Sequence, residues 1–327
     1  MKAVKFENNR ISVIETPIPR AGQGEALVKV SMAGICATDM EILNGYAGFS
    51  GIPGHEFSGT VESAPQSPDM EGRRVVADIN CGCGKCPWCM SGDSRHCESR
   101  TVIGIRGRNG AFAEYLTVPV KNLHFLPESV DNTRAVFAEP LAAALEITQQ
   151  LHIKNKDRIA VLGDGKMGLL AALALKHHAG SLVLAGRHPE KLSIASKQGI
   201  DTIQLSPGDS DETTTPWLGR FDIVVEATGS PDGISTALGL VRPEGTVAVK
   251  TTSSGSSQID LSAVVVHEIT IMGSRCGDMD LALRYLENRW VDTDPLLEKI
   301  YPFSDFKNAF RHAGQRGSLK VMIDMEG

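Results

Sequence analysis

The chain has 327 residues, 42% of them hydrophobic and 22% charged, which is ample for a buried core and suits about two globular domains. Its net charge of −6, with basic residues scattered along the chain, argues against a nucleic-acid surface or a cationic membrane face and leaves small molecules as the expected partners. No stretch approaches the roughly 18 uninterrupted apolar residues of a membrane span, and the opening "MKAVKFENN" lacks the apolar core of a signal peptide, so the expected location is cytoplasmic.

From residue 1 to about 135 the chain reads as short β segments, "EALVKVSMAGI", "RRVVADI" and "AFAEYLTVP", broken by Gly and Pro. Three places in this half offer side chains with chemistry. "AGICATDMEILNG" carries Cys36, Thr38, Asp39 and Glu41; "IPGHEFSGTV" carries His55 and Glu56; "FAEPLAAAL", just beyond, carries Glu139. Singly these are commonplace, because a lone Cys is usually a small buried apolar residue and a lone His or Glu usually has a local partner.

The stretch "CGKCPWCMSGDSRHC" is more specific. Five of the seven cysteines crowd between 81 and 97, and Cys83, Cys86, Cys89 and Cys97 follow one another at intervals of two, two and seven residues. Four thiolates at this spacing match a closed tetrahedral zinc site, with no open position for a substrate. The expected role is structural: a zinc that clips a loop. Cys81 is a spare thiol that could compete for the metal.

From about residue 145 the texture changes. "RIAVLG", "SLVLAG", "DTIQL", "FDIVVEATG", "GTVAVK" and "ITIMG" are six strand candidates, mostly continuous apolar runs, separated by Ala- and Leu-rich helical stretches, the pattern of a doubly wound parallel sheet. The segment "PGDSDETTTPWLGR" after the third reads as a surface connection. Past residue 273 about fifty residues remain, too few for an independent core, so the tail is expected to return to the first domain. The expected boundaries are therefore 1–144 with 274–327 for one domain and 145–273 for the other, with the zinc lobe at 81–97.

"VLGDGKMGLLAALAL" places Gly163, Gly165 and Gly168, with Lys166 and Met167 between them, after the first strand of the second half and at the mouth of a helix. Those glycines serve a tight turn, a close backbone approach to a pyrophosphate and close helix–strand packing. At the end of the next strand, NAD-binding chains carry an acid for the adenosine ribose. Here stand Gly186, Arg187 and His188, and a guanidinium in place of a carboxylate points to NADP(H) in preference to NAD(H). Lys191 and His188 either assist or are solvated residues at a helix start.

With these residues in view, the sequence resembles the zinc-dependent medium-chain dehydrogenase/reductase family, the alcohol dehydrogenase superfamily, and its polyol and threonine dehydrogenase-like branch. The resemblance runs in order through "GICATD", "GHEFSG", "GRRVV", the four-cysteine lobe, "GAFAEYLTVP", "EPLA", "VLGDGKMG", "VVEATGS", "RPEGTV" and "TIMGS". It implies a Rossmann domain beside a mostly β, GroES-like catalytic domain, two zinc ions, one catalytic and one structural, and NADP(H)-linked interconversion of an alcohol and a carbonyl compound. Cys36 and His55 become ligands of the catalytic zinc, with Glu56 or Glu139 as the third.

Asp39 matches the family residue that hydrogen-bonds the ligating histidine, and Thr38 the hydroxyl that relays the substrate proton. Thr228 falls among the cofactor contacts. Two departures matter: Glu41 stands where a relay histidine is common, and Lys250 where relatives often have glycine near the nicotinamide. The substrate pocket is expected around 44–50, 105–112 and 274–278, with Arg106 and Arg108 read as solvated charge. Homodimers or homotetramers are usual in the family, formed through the last Rossmann strand near "ITIMG". The rival readings are a non-catalytic NADPH-binding regulator on the same fold and a zinc-independent quinone or enone reductase, the latter disfavoured because it needs no metal at Cys36 and His55.

Overall fold

A computed structural model describes all residues except 8–9, 44, 46–47, 206–214 and 253–255. The chain divides into two compact units, Met1–Glu139 with Met279–Arg289 and Leu297–Gly327, and Pro140–Asp278 with Trp290–Leu296. The division falls at 139/140 and 278/279, not at the expected 144/145 and 273/274, and the short stretch 290–296 goes with the second unit.

The first unit is mostly β. Its main sheet runs in the order Leu123–Phe125, Arg74–Ala77, Glu56–Ser63, Glu25–Ile35, Lys320–Asp324, Leu297–Pro302, with Tyr115–Pro119 also paired to Glu25–Ile35. The long strand Glu25–Ile35 is the spine, and its inward positions, among them Val28, Val30, Ala33 and Ile35, are sealed from solvent. Alternation of this kind marks a sheet packed on one face. The C-terminal strand returns to this spine in antiparallel register, Val321 opposite Ile35 and Ile323 opposite Ala33. Gly34 is paired with Glu56 on one side and Met322 on the other, so the end of the spine, the start of "EFSGT" and the start of the last strand meet at one edge. A side chain at Gly34 would come within 2.7 Å of both the Glu56 carboxylate and Val136, which explains the glycine. A small three-stranded sheet, Asn80–Cys81, Thr101–Ile103 and Gly107–Arg108, carries the cysteine-rich lobe.

The second unit is a six-stranded, wholly parallel sheet in the order Asp201–Gln204, Ser181–Gly186, Arg158–Leu162, Phe221–Glu226, Val241–Val249, Thr270–Gly273. Numbered along the chain this is 3-2-1-4-5-6, the doubly wound Rossmann order expected from the six apolar runs. The two central strands are buried almost throughout, with Val161, Val224 and Val225 at 0% exposure, and they read as unbroken apolar runs for that reason. The strand Val241–Val249 begins four residues before "GTVAVK". Its register against the neighbouring strand shifts between Phe221 and Ile223, which lets "VRPE", with its proline, join the edge of the ladder. Of the expected surface connection after the third strand, residues 207–214 lie outside the described residues, and Thr215–Trp217 form a 3-10 turn. Among the described residues no helix is long and apolar enough to cross a membrane.

Candidate active site

The first constellation is built where the spine strand ends. Cys36 follows Ile35 directly and precedes the helix Ala37–Leu43. Asp39, in the first turn of that helix and 1% exposed, accepts a hydrogen bond from the Cys36 N–H at 2.8 Å, which fixes the strand-to-helix turn and the cysteine with it. Its other oxygen, Oδ1, lies 3.4 Å from Nδ1 of His55; both atoms are buried and neither has a hydrogen bond elsewhere. Burial works against a charged His55, but the negative charge and hydrogen bonding of Asp39, with help from Cys36, prevail and hold the imidazole well above its ordinary range.

Cys36, His55 and Glu56 place their ligand atoms within 4.8 Å of one another. One thiolate, one imidazole and one carboxylate suit zinc, and three protein ligands leave room for a fourth, the mark of a catalytic rather than a structural site. Glu139, at the start of the helix Ala138–Gln150, stands outside that cluster. Burial first, and then the neighbouring charges of Glu56 and Asp78, push its carboxyl up to about 7 against the pull of His55 and Lys320.

Glu56 has a partner that local sequence does not reveal. Nζ of Lys320, 2% exposed, forms an ion pair with Oε2 of Glu56, 1% exposed, across 264 positions of sequence. Burial opposes the lysine's charge, yet the charges and hydrogen bond of Glu56, with Cys36 and Glu139, hold it above its ordinary value. The ammonium also lies 5.9 Å from the ring centre of Phe137. Thr38 is half-buried with its hydroxyl oxygen 3.8 Å from Sγ of Cys36. Glu41, one turn further along the helix, is half-buried and belongs to no ligand cluster.

In the lobe, Cys83, Cys86, Cys89 and Cys97 form the second ligand cluster, again with all four sulfurs within 4.8 Å and none in a disulfide. Gly84 and Gly92, at φ of 77° and 86°, supply the left-handed turns on either side of the short helix Pro87–Met90. The Lys85 and Cys86 N–H groups lower the Cys83 thiol to about 6. The Cys89 N–H favours a Cys86 thiolate, but burial and the adjacent sulfurs push that thiol up to about 11. Four neighbouring thiols cannot all ionise unless a cation joins them, which is the condition a zinc ion meets. Cys81 is left out of the cluster: it is buried, its sulfur rests 3.8 Å from the Ile79 carbonyl, and burial raises its thiol to about 11.

The glycine turn fits a dinucleotide. Gly163 has φ of 114°, and a side chain at Gly168 would collide with the Gly163 carbonyl, so both are needed for the turn to close on the helix Lys166–Leu175. A Cβ at Gly165 would meet nothing within 4 Å, the open space that a pyrophosphate lying on the backbone requires. Lys166 and Met167 are half-buried in the first turn. Arg187 is exposed at the end of the second strand, while Lys191, in the first turn of Pro189–Lys197, is 6% exposed and so not a solvated residue.

Asp164, which the glycine motif drew no attention to, accepts hydrogen bonds from the Arg187 and His188 N–H groups at 2.6 and 2.7 Å. Thr228 hydrogen-bonds the buried Glu226 through both its N–H and its hydroxyl, a connection that Thr251 joins from just past the end of the next strand. Lys250 donates to the carbonyls of Ala143 and Arg275 at 2.6 and 3.2 Å and to the Ser274 hydroxyl at 3.3 Å. Its charge is thereby directed at the second unit's own backbone. Arg108 likewise pairs with Glu25 at 2.7 Å. Of the expected pocket around 44–50, residues 44, 46 and 47 lie outside the described residues.

Residues 22–128 match the alcohol dehydrogenase GroES-like domain, and residues 167–290 match the zinc-binding dehydrogenase family. D-arabinitol dehydrogenase 1 of Uromyces fabae is 31% identical, over 99% of this chain and 97% of its own length. The alcohol dehydrogenase RspB of Escherichia coli CFT073, solved with NADH, superposes with a TM-score of 0.92 at 26% identity, covering 99% of each chain. A zinc-binding dehydrogenase of Sinorhizobium meliloti 1021, solved with NADP, gives 0.89 at 28% identity over 99% of this chain and 98% of its own. The glycine turn on a doubly wound sheet, the two ligand clusters and these full-length likenesses together show that the chain belongs to the medium-chain dehydrogenase/reductase family of zinc-binding alcohol dehydrogenases.

Proposed function

We propose that the chain is a zinc-dependent oxidoreductase that moves a hydride between NADP(H) and an alcohol or carbonyl substrate, with polyols and other secondary alcohols as the first class to try. The observation that carries this reading is the convergence of Cys36, His55 and Glu56, an open three-ligand set, in a chain that also holds a dinucleotide turn. A zinc bound there would polarise the substrate oxygen, and the nicotinamide would take or give the hydride. Cys86, Cys83, Cys89 and Cys97 would hold the second, structural ion.

The protein's own residues have definable tasks. Asp39 orients the His55 ring and favours the tautomer that presents the other nitrogen to the metal. Lys320 sets a positive charge against Glu56 and fixes one of its oxygens. Oxidation of an alcohol releases the hydroxyl proton, and Thr38, whose hydroxyl lies 3.8 Å from Sγ of Cys36, is the candidate to receive it. Glu41, next on the same helix face and half-buried, is the candidate to pass it outward in place of a histidine. Glu139, with a carboxyl near 7, is the alternative third ligand when Glu56 stays with Lys320. For the cofactor, the exposed Arg187 and the absence of a carboxylate on the second strand support NADP(H).

A homodimer through the edge strand Thr270–Gly273 has a physical motive. Ile271 is 37% exposed there, and the neighbouring helix Leu261–Val266 exposes Leu261, Val265 and Val266. The activity is tested by following NADPH and NADH with a panel of polyols, ketoses and simple secondary alcohols, for the wild type and Cys36→Ser. Turnover in the wild type with loss of at least 1000-fold in the variant, while NADPH binding persists, is the expected result. Equal turnover in both proteins would contradict a catalytic metal at Cys36.

A further inference from the structure

In a Rossmann unit the adenosine ribose lies at the end of the second strand, and an acid there, about 20 residues past the glycines, receives its hydroxyls. This chain has none on that strand, but it has one at the same place. Asp164, the residue between Gly163 and Gly165, turns its carboxylate to the end of Ser181–Gly186. Oδ2 accepts from the N–H groups of Arg187 at 2.6 Å and His188 at 2.7 Å, and Oδ1 lies 3.0 Å from Nδ1 of His188. Gly186 makes room for it: a Cβ at that position would stand 2.5 Å from the carboxylate. The absence of a side chain at the strand end thus leaves space for a carboxylate that the glycine turn supplies.

That placement has two consequences for a 2′-phosphate. The donors that would meet it, two backbone N–H groups just ahead of the helix Pro189–Lys197 and the His188 imidazole, are already engaged by Asp164. The carboxylate itself, 6% exposed, is a negative charge at short range in a poorly screened position. A free ribose hydroxyl meets the opposite situation, because it can donate to an oxygen that is present and ionised. The exposed guanidinium of Arg187 draws a phosphate toward the same spot, so attraction and repulsion come from residues 23 positions apart.

We infer that Asp164 is a specificity-determining residue that acts against the 2′-phosphate of NADP(H) and toward the free ribose of NAD(H), so that the preference set by Arg187 is narrow. The inference rests on the reading of the glycine turn as a nicotinamide-dinucleotide site, and it does not depend on which substrate is oxidised.

The test is calorimetric binding of ADP-ribose and 2′-phospho-ADP-ribose to the zinc-loaded protein, for the wild type, Asp164→Asn and Asp164→Ser. The Asn variant keeps an acceptor for the two N–H groups and removes the charge; the Ser variant also removes volume, and whichever of the two shows a wild-type far-ultraviolet dichroism spectrum is read. The expected result is a rise of at least tenfold in the preference for 2′-phospho-ADP-ribose over ADP-ribose. A ratio within twofold of wild type, or one shifted toward ADP-ribose, would overturn the inference. Failure of the wild type to bind either ligand would remove the dinucleotide site and the inference with it. Binding of both without any turnover would count against the proposed reaction alone and leave the Asp164 effect measurable.

Discussion

At the scale of single residues, the Cys36/His55/Glu56 cluster, the proposed catalytic metal site, leans on two buried partners outside the cluster. Asp39 holds the Cys36 N–H with one oxygen and faces His55 with the other, so Asp39→Asn removes the charge that favours the ligating imidazole. Outer partners of this kind set metal affinity by about 10- to 100-fold, and a loss of that size in a competitive zinc titration is expected at Cys36/His55/Glu56, with the four-cysteine site unchanged. Lys320 is the other partner. Replacing it by Met leaves Glu56 buried without a cation, a change that costs about 3–5 kcal/mol in comparable sites, and urea unfolding of the zinc-free protein should show it. A loss below 1 kcal/mol would mean that Glu56 finds compensation elsewhere.

These two residues also mark what local sequence carries. Asp39 is legible because it shares a turn with Cys36. Lys320 is not, since only strand register sets "LKVMID" and "GHEF" on the two sides of the end of Glu25–Ile35. Asp164 lay within the glycine motif throughout, and the signal that could have found it is a charged residue placed where a turn must receive a pyrophosphate.

At the scale of elements, the parallel strands were readable because burial on both faces turns them into apolar runs, whereas the boundary of Val241–Val249 was not, because its first residues carry Pro and Glu at a register shift. The same region holds a clamp. Asp222, at the start of Phe221–Glu226, accepts from the Arg158 N–H at 2.8 Å and from Nε of Arg242 at 2.7 Å, tying the starts of three adjacent strands. Burial opposes its ionisation, but the hydrogen bonds from Arg158 and Arg242 and their charges outweigh it and hold the carboxyl below its ordinary value of 3.8.

A lowered value in the folded state means that the ionised form favours folding. The stabilisation is therefore fully present above the ordinary carboxyl range and is lost as pH falls through the depressed folded value. Asp222→Asn should cost about 1–2 kcal/mol at pH 7, less than a fully buried pair because the arginines are partly solvated. Urea midpoints of wild type and variant should converge in strong acid. A gap that persists there would assign the effect to packing rather than charge.

At the scale of the whole molecule, one chain carries two ligand clusters of different build. The four-cysteine lobe is a closed set on a small sheet, suited to holding a loop, and its spacing was legible because all four thiols lie within fifteen residues. The open set is drawn from two strand ends twenty residues apart, and single residues of those types carry little information until a fold brings them together. Cys89→Ser should therefore lower zinc content by one per chain and reduce thermal stability, and NADPH binding by the second unit should survive. Loss of dinucleotide binding in that variant would show that the lobe supports more than its own loop.

The most direct test of the account is turnover of an active polyol or secondary alcohol while zinc is titrated back into the stripped protein. The account predicts no turnover without zinc, recovery in the wild type as the Cys36/His55/Glu56 site fills, and none in Cys36→Ser at any zinc concentration. Full turnover by wild-type protein stripped of zinc at that site would contradict it.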